Sequence, residues 1–441
     1  MSNPGTDKFG KQQSELLSKI LWTLGLLAVY RIGIHVPVPG VNIEALKLVF
    51  EEAARSTSNL VGMIDMFSGG ALSQLPIFAL GVMPYISASI IMQLLQVIFP
   101  DLKRMAKEEG AAGRKKITQY TRYGTVFITA LQGLGLAITL EGMQTGTAVP
   151  VIMDPGWSFR LITVITLIAG TSFLMWLGEQ ITEKGIGNGI SLIIFSGIVA
   201  GIPRAITNSV SQFSAGDMSI LIPVVVLIIM AVVLIFIVFV ERGQRRIPIH
   251  YAKRQIGRKI VGGQSTHLPL RINTAGVIPP IFASSLLIFP ATIASISSNE
   301  WVKNIGAYIA PDTLIYNIAF IVLVVLFCFF YTAIIFDPKD IAENLKKQGG
   351  FVPGIRPGVN TAEYINRVLL RITPWGAAYI CLVCLLPLIL RIYFNLPFQY
   401  GGTSLLILVG VAMDFMSQVQ SHMISTQYES LLGKTKLKPR Y

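Results

Sequence analysis

Charge is what this chain has least of. Of its 441 residues only 13% are Asp, Glu, Lys or Arg, against 52% hydrophobic, and mean hydropathy is +0.62. A soluble chain of this length would need far more charge to cover its surface, so the composition places it in a bilayer. Cysteine is almost as scarce. Cys328, Cys381 and Cys384 all lie within apolar runs, and no His or carboxylate stands beside the Cys381/Cys384 pair to complete a metal site. They read as small packing residues. The four histidines are scattered and no nucleophile–base pair is evident, so no catalytic group, metal or cofactor is expected. Any energy source must come from a partner or from the membrane potential. GIGNGIS (185–191) lacks the GxGxxG or GxxxxGK spacing of a nucleotide loop. Its glycines and Asn188 are expected to end one connection and cap the next helix.

What is present in quantity is long apolar runs. A membrane-spanning helix needs about 20 mainly apolar residues. Ten such runs can be marked, at 20–36, 75–97, 122–141, 158–177, 189–208, 218–240, 273–295, 313–336, 372–392 and 402–421. Many are rich in Leu, Ile and Val without strict alternation, which argues against a β-barrel. The expected fold is all-α and polytopic. The first 19 residues carry Lys8, Lys11 and Lys19, and no small-residue cleavage site follows the first run. It reads as a retained span rather than a signal peptide. With the N-terminus inside, the first 19 residues, the inner loops with their flanks and the tail together hold 29 of the 36 Lys and Arg residues. Positive residues stay cytoplasmic, so both termini are expected there.

Ten spans divide into five and five at the connection 204–217, giving halves 1–208 and 209–441. An odd number of spans per half inverts the second half. Two echoes support the division. GVMPYISAS (81–89) returns as GVIPPIFAS (276–284), and NGISLIIFSG (188–197) resembles GGTSLLILVG (401–410). The echoes fall in spans 2 and 7 and in spans 5 and 10. Inverted repeats place a pathway at their interface near the midplane, so spans 2, 5, 7 and 10 are expected to line one.

A carrier of small polar solutes needs polar groups at that depth. Asp414, Arg31 and Glu179 are the candidates here, the last two near span ends. The repeated segments offer aliphatic side chains instead: Val82, Ile86, Ile190, Ile194, Ile281 and Ile407. A narrow aliphatic constriction excludes water and can gate, although ordinary helix packing uses the same residues. Pro84, Pro279 and Pro280 are expected to bend or break their helices. NLVGMIDMFSGGALSQ (59–74) is too short and too broken to span, which leaves a re-entrant segment or a surface loop. The loops at about 241–271 and 337–371 are long and basic. Topology and anionic lipid explain many such cations, while an acidic partner or RNA phosphate would suit the arginines as well.

Four stretches identify a family. ALGVMPYISASIIMQLL (79–95), GEQITEKGIGNGISLIIFSG (178–197), NTAGVIPPIFASS (273–285) and MDFMSQVQSHMISTQYES (413–430) closely resemble the SecY/Sec61-alpha family of protein-conducting channel subunits. The match runs essentially from end to end. The resemblance implies ten helices in two inverted halves around an hourglass pore. It implies passage of unfolded secretory chains and lateral release of membrane segments into lipid. It assigns Val82, Ile86, Ile190, Ile194, Ile281 and Ile407 to a pore ring. Residues of about 60–74 become a plug, with Met63, Asp65, Phe67, Gly69 and Gly70. Spans 2 and 7 become a lateral gate, with Ser87, Phe282 and Phe289 facing the opening and Gln132 and Asn273 bonding across it when closed. Arg356 becomes a SecA contact, and Arg254 and Arg258 fall in a loop shared by SecA and the ribosome. SecE and SecG are the implied companion subunits, and signal peptides and precursor chains the implied cargo. The competing classes are an inverted-repeat transporter of a small solute and a scaffold that conducts nothing.

Overall fold

Each of the ten apolar runs holds a helix in the computed structural model, which describes residues 4–46, 74–107, 109–142, 150–214, 221–251, 254–256, 259–261, 265–296, 313–394 and 402–434. In chain order the helices are α1 (Pro4–Gly33), α2 (Met83–Ile98), α3 (Pro100–Lys107), α4 (Gly110–Gly142), α5 (Trp157–Lys184), α6 (Gly189–Ser214) and α7 (Leu221–Arg242). They continue as α8 (Ile278–Ile296), α9 (Leu314–Ile335), α10 (Pro338–Lys347), α11 (Val359–Phe394) and α12 (Gly402–Lys434). Among the described residues, six helical stretches are long and apolar enough to cross a membrane: Glu15–Gly33, Gly110–Gly142, Trp157–Lys184, Leu314–Lys347, Val359–Ile389 and Gly402–Ile424. Large side chains on these helices point outward, Phe127 at 66% exposure and Trp375 at 75%. A helix with exposed aromatic and aliphatic residues is stable where lipid is the solvent.

The chain divides into two compact units. One comprises Met1–Asn208, Phe289–Asp312 and Ile407–Tyr441; the other comprises Ser209–Ile288 and Thr313–Leu406. Helices α6, α8 and α12 each have residues in both units.

In the first unit α4 packs along α2 and α5, and α1 along α5. Small residues permit the close approach: Gly124 faces Ala88 across α4 and α2, and Gly133 faces Leu167 and Val164 across α4 and α5. Three buried threonines on α4 satisfy themselves within their own helix. Thr121, Thr125 and Thr129 donate to the carbonyls of Ile117, Thr121 and Thr125 at 3.0, 2.8 and 2.7 Å. Tyr30, Phe78 and Phe173 stack in turn, and Trp176 is tilted against Phe173, with centroids 6.1, 6.0 and 5.6 Å apart.

The second unit contains structure that helix-length apolar runs do not announce. The loop after α7 forms β1 (Gln244–Tyr251), β2 (Arg254–Ile256), β3 (Lys259–Val261) and β4 (Ser265–Arg271), and β5 (Gly350–Phe351) follows α10. Strand β1 pairs antiparallel with β4, Ile247 opposite Leu268, and with β5, His250 opposite Phe351. Strand β2 pairs with β3. Alternation along β1 buries Ile247 and Ile249 and leaves Arg246, Pro248 and His250 exposed. Ile247 joins Leu270, Val352, Ile365 and Leu369 in one apolar cluster, which seats the sheet on the first turns of α11.

Candidate functional site

The first echo is an echo of backbone geometry. Gly81 has φ +55° and Gly276 φ +63°, a left-handed conformation that glycine adopts without a Cβ penalty. Two residues after each, a helix begins: α2 at Met83 and α8 at Ile278. Pro84 therefore stands in the first turn of α2, and Pro279 and Pro280 in the first turn of α8. This corrects the expectation of a proline-bent helix. First-turn amides have no intrahelical acceptor, so proline costs nothing there, and its fixed φ favours the start. Residues 75–82, expected from composition to belong to span 2, lie outside the helix: Pro76 bridges Pro37 and 77–82 form turns.

The second echo is one of close packing. At the start of α6, a Cβ on Gly189 would collide with the Gly178 carbonyl of α5; at the start of α12, a Cβ on Gly402 would collide with the Val383 carbonyl of α11. Each glycine lets a helix begin flush against the helix before it. The expected cap is present: Asn188 Oδ1 accepts from the amides of Ile190 and Ser191 at 3.1 and 3.4 Å. Thr182 Oγ1 accepts from the Gly189 amide at 2.9 Å.

These four helix starts position the aliphatic residues. Val82 caps α2 without a side-chain bond and its carbonyl accepts from the Ile86 amide at 3.1 Å. Val82, Ile194, Ile281 and Ile407 are buried, and Ile86 and Ile190 half-buried. Ile190 lies against Gly178.

Residues expected at the gate have definite surroundings. Ser87 is buried on α2 and Gln132 half-buried on α4. Phe282 meets Phe327 and Tyr331 of α9 edge-on, centroids 5.6 and 6.0 Å away. Asn273 is 4% exposed, and its Nδ2 donates to Glu241 Oε1 at 2.6 Å and to the Gly276 carbonyl at 3.2 Å. Phe289 lies in α8 with its side chain outside the described residues. So do the plug residues Met63, Asp65, Phe67, Gly69 and Gly70. The chain just after the segment expected to be a plug is described and firmly held. Leu75 is fully buried at φ +41°, its carbonyl accepts from the Val38 amide at 2.9 Å, and the Ile77 amide donates to Val36.

Of the basic residues, Arg356 is exposed in the loop between β5 and α11, where Thr361 Oγ1 donates to its carbonyl at 2.9 Å. Arg254 begins β2 with its side chain outside the described residues, and Arg258 lies outside them altogether. An ion pair went unread in the sequence. Arg122 of α4 holds Glu179 of α5 with two bonds, Nε to Oε1 at 3.0 Å and Nη2 to Oε2. One of the three candidate midplane charges is thus paired. Asp414 is exposed and Arg31 half-buried. Among the described residues no group of His, Cys, Asp and Glu is arranged to hold a metal.

A family model described as SecY matches residues 76–416. The chain belongs to the SecY family. The protein translocase subunit SecY of Escherichia coli K12 is 51% identical over 428 residues, covering 96% of this chain and 95% of that protein. The SecY of Aquifex aeolicus is 45% identical over 423 residues, 95% of this chain and 97% of that one. Solved structures share the fold: a protein-conducting channel matches with a TM-score of 0.66 at 18% identity, covering 95% of this chain and 94% of that one. Sec61 in the canine ribosome–channel complex matches with a TM-score of 0.62 at 17% identity and the same coverage. This SecY-family chain is therefore a multi-pass membrane protein and a channel subunit of a protein translocase. It carries polypeptides through the membrane and is not an enzyme.

Proposed function

We propose that Val82, Ile86, Ile190, Ile194, Ile281 and Ile407 form the ring that seals this channel at rest and closes around a moving chain. The observation that carries this reading is the pairing of helix starts. Two left-handed glycines and two flush-packed glycines each begin a helix that presents an aliphatic residue within its first two turns. Aliphatic side chains make no directional bonds, so such a collar fits any passing sequence and still repels water and ions. Residues of about 60–74 act as the plug, tethered where Leu75 is fixed. Helices α2 and α8 are the two sides of a lateral gate through which signal peptides and membrane segments reach lipid, with Ser87, Gln132, Asn273, Phe282 and Phe289 along it.

The halves 1–208 and 209–441 move apart to open the gate. Both termini are cytoplasmic and the membrane is the bacterial inner membrane; the distribution of 29 of 36 basic residues supports this orientation. The exposed arginines Arg245 and Arg356, with Arg254 and Arg258, give the basic loops the charge to dock SecA or the ribosome. The channel in the canine ribosome–channel complex, which shares this fold, favours such docking. SecE and SecG complete the channel, anionic lipids border it, and SecA, the ribosome or the proton-motive force supplies energy.

Reconstitution with SecE and SecA, followed by protease protection of an exported precursor, tests the reading. Protected precursor that depends on ATP and on an intact signal supports it. Saturable uptake of a small solute by the chain alone would support the transporter instead. The Arg122–Glu179 pair disfavours that alternative, because it removes one charge a solute site would use.

A further inference from the structure

The basic β-hairpin and the gate helix α8 meet at one polar knot. Glu241 is the second-last residue of α7, three residues before β1 begins at Gln244. Asn273 lies two residues after β4 ends at Arg271 and five before α8 begins at Ile278. The root of the hairpin is closed by the Ile272 amide donating to the Gly243 carbonyl at 3.0 Å, with Ile272 packed over Gly243. On the other side a Cβ at Gly376 of α11 would lie 2.8 Å from the Ile272 carbonyl, so α11 backs the same turn.

Into this root Asn273 spends its amide protons downward. Nδ2 reaches Glu241 Oε1 at 2.6 Å, a short bond to a carboxylate, and the Gly276 carbonyl at 3.2 Å. Its Oδ1 is buried and receives no hydrogen bond among the described residues. The same holds for the hydroxyl of Tyr379 on α11, whose ring is edge-on to Phe236 of α7 at 5.9 Å. A buried amide with its donors satisfied and its acceptor open is a strained half-network. Moving Asn273 also moves Gly276, whose left-handed turn starts α8.

We propose that Glu241 is a positioning residue for the lateral gate: by holding the Asn273 amide it ties α8 to the hairpin root, and displacement of the hairpin by a docked partner releases α8. The inference rests on the reading of α8 and Asn273 as parts of the gate. In the held state both Nδ2 bonds are spoken for, and the only group Asn273 has left to offer is its unpaired Oδ1. When Glu241 lets go, the Asn273 side chain is free to reorient, and the turn at Gly276 that starts α8 is held by one bond fewer. Glu241 touches no cargo on this account; it sets how easily the gate yields.

The experiment uses the full channel, reconstituted with its companion subunits and SecA, and compares export of two precursors, one with an intact signal and one with a defective signal. Glu241→Ala and Glu241→Asp remove or shorten the 2.6 Å bond, and Glu241→Gln keeps an acceptor in place. Loss of a charge-assisted bond predicts about a tenfold rise in export of the defective-signal precursor for the Ala and Asp variants, with the intact precursor changed little. The Gln variant stays within about twofold of the wild type, and Glu241→Ala with Asn273→Ala is no more permissive than either alone. A purely structural role would lower both precursors together and leave their ratio unmoved. Should Asn273→Ala relax the signal requirement while Glu241→Ala and Glu241→Asp remain as stringent as wild type, the tie to Glu241 is overturned and the gate reading stands. If none of the three changes stringency, both are overturned.

Discussion

Gly81 and Gly276 hold the same left-handed backbone, φ +55° and +63°, each two residues before the first residue of a helix. The echo in sequence is therefore an echo of how two helices begin. A Gly–Val–x–Pro string supplies a residue that can turn left-handed and then one that fixes helical φ with no amide to satisfy.

That relationship predicts that Gly276→Ala destabilises through conformation alone. No atom lies within 4 Å of the position a Cβ would take, so no clash contributes. The left-handed penalty for a residue with Cβ is about 1–2 kcal/mol. Thermal unfolding of the purified complex should show the loss for Gly276→Ala. Gly25→Ala, inside α1 and equally open, should be neutral or slightly stabilising.

Gly402→Ala is expected to be worse, and for a different reason. Its Cβ would overlap the Val383 carbonyl and the Cys384 Cα, so α12 must shift away from α11. Backbone cannot yield as a flexible side chain does. We expect reduced assembly of the variant, read by co-purification of companion subunits, and a lower unfolding temperature than for Gly276→Ala. Equal stability of the two variants would remove the packing argument.

Arg122 and Glu179 should behave as a pair. Their side chains are 47% and 23% exposed, so solvent screens the attraction and the contribution is about 1 kcal/mol or less. Glu179→Ala and Arg122→Ala should each lower the unfolding temperature slightly, and the exchanged double variant R122E/E179R should recover most of the loss. Additive losses in a double alanine variant would show that the two side chains do not act together.

Arg356→Glu should stop SecA-driven export while the channel still assembles. The side chain is exposed on the loop before α11 and the backbone there is held by Thr361, so the substitution changes charge without removing a packing contact. Export assays with co-purified subunits check both halves of this prediction. Normal export by the variant would refute it.

The ten helices and the Asn188 cap were legible because they depend on runs of adjacent residues. Apolar length marks a span, and an Asn one residue before a glycine-led apolar run marks a helix start. The helix starts at Met83 and Ile278 are not legible in the sequence, because a proline inside an apolar run is as compatible with a bend as with the opening turn of a helix. Only the φ of Gly81 and Gly276 distinguishes the two cases. The sheet around β1 was hidden in a basic loop where Ile247 and Ile249 alternate with Pro248 and His250, too short a pattern to stand out. The ring residues were visible as aliphatic positions, yet nothing local separates them from ordinary packing. The Arg122–Glu179 and Glu241–Asn273 contacts join residues 57 and 32 positions apart, so they depend on how neighbouring elements align.

The central claim is that an aliphatic ring makes the seal, and the ion conductance of vesicles carrying the reconstituted channel tests it most directly. Ile407 is 1% exposed at the start of α12. Ile407→Asn places an amide in the ring and should raise resting conductance or admit precursors with weak signals, whereas Ile407→Leu should leave both near wild type. Unchanged conductance together with unchanged signal stringency in the Asn variant would contradict the account.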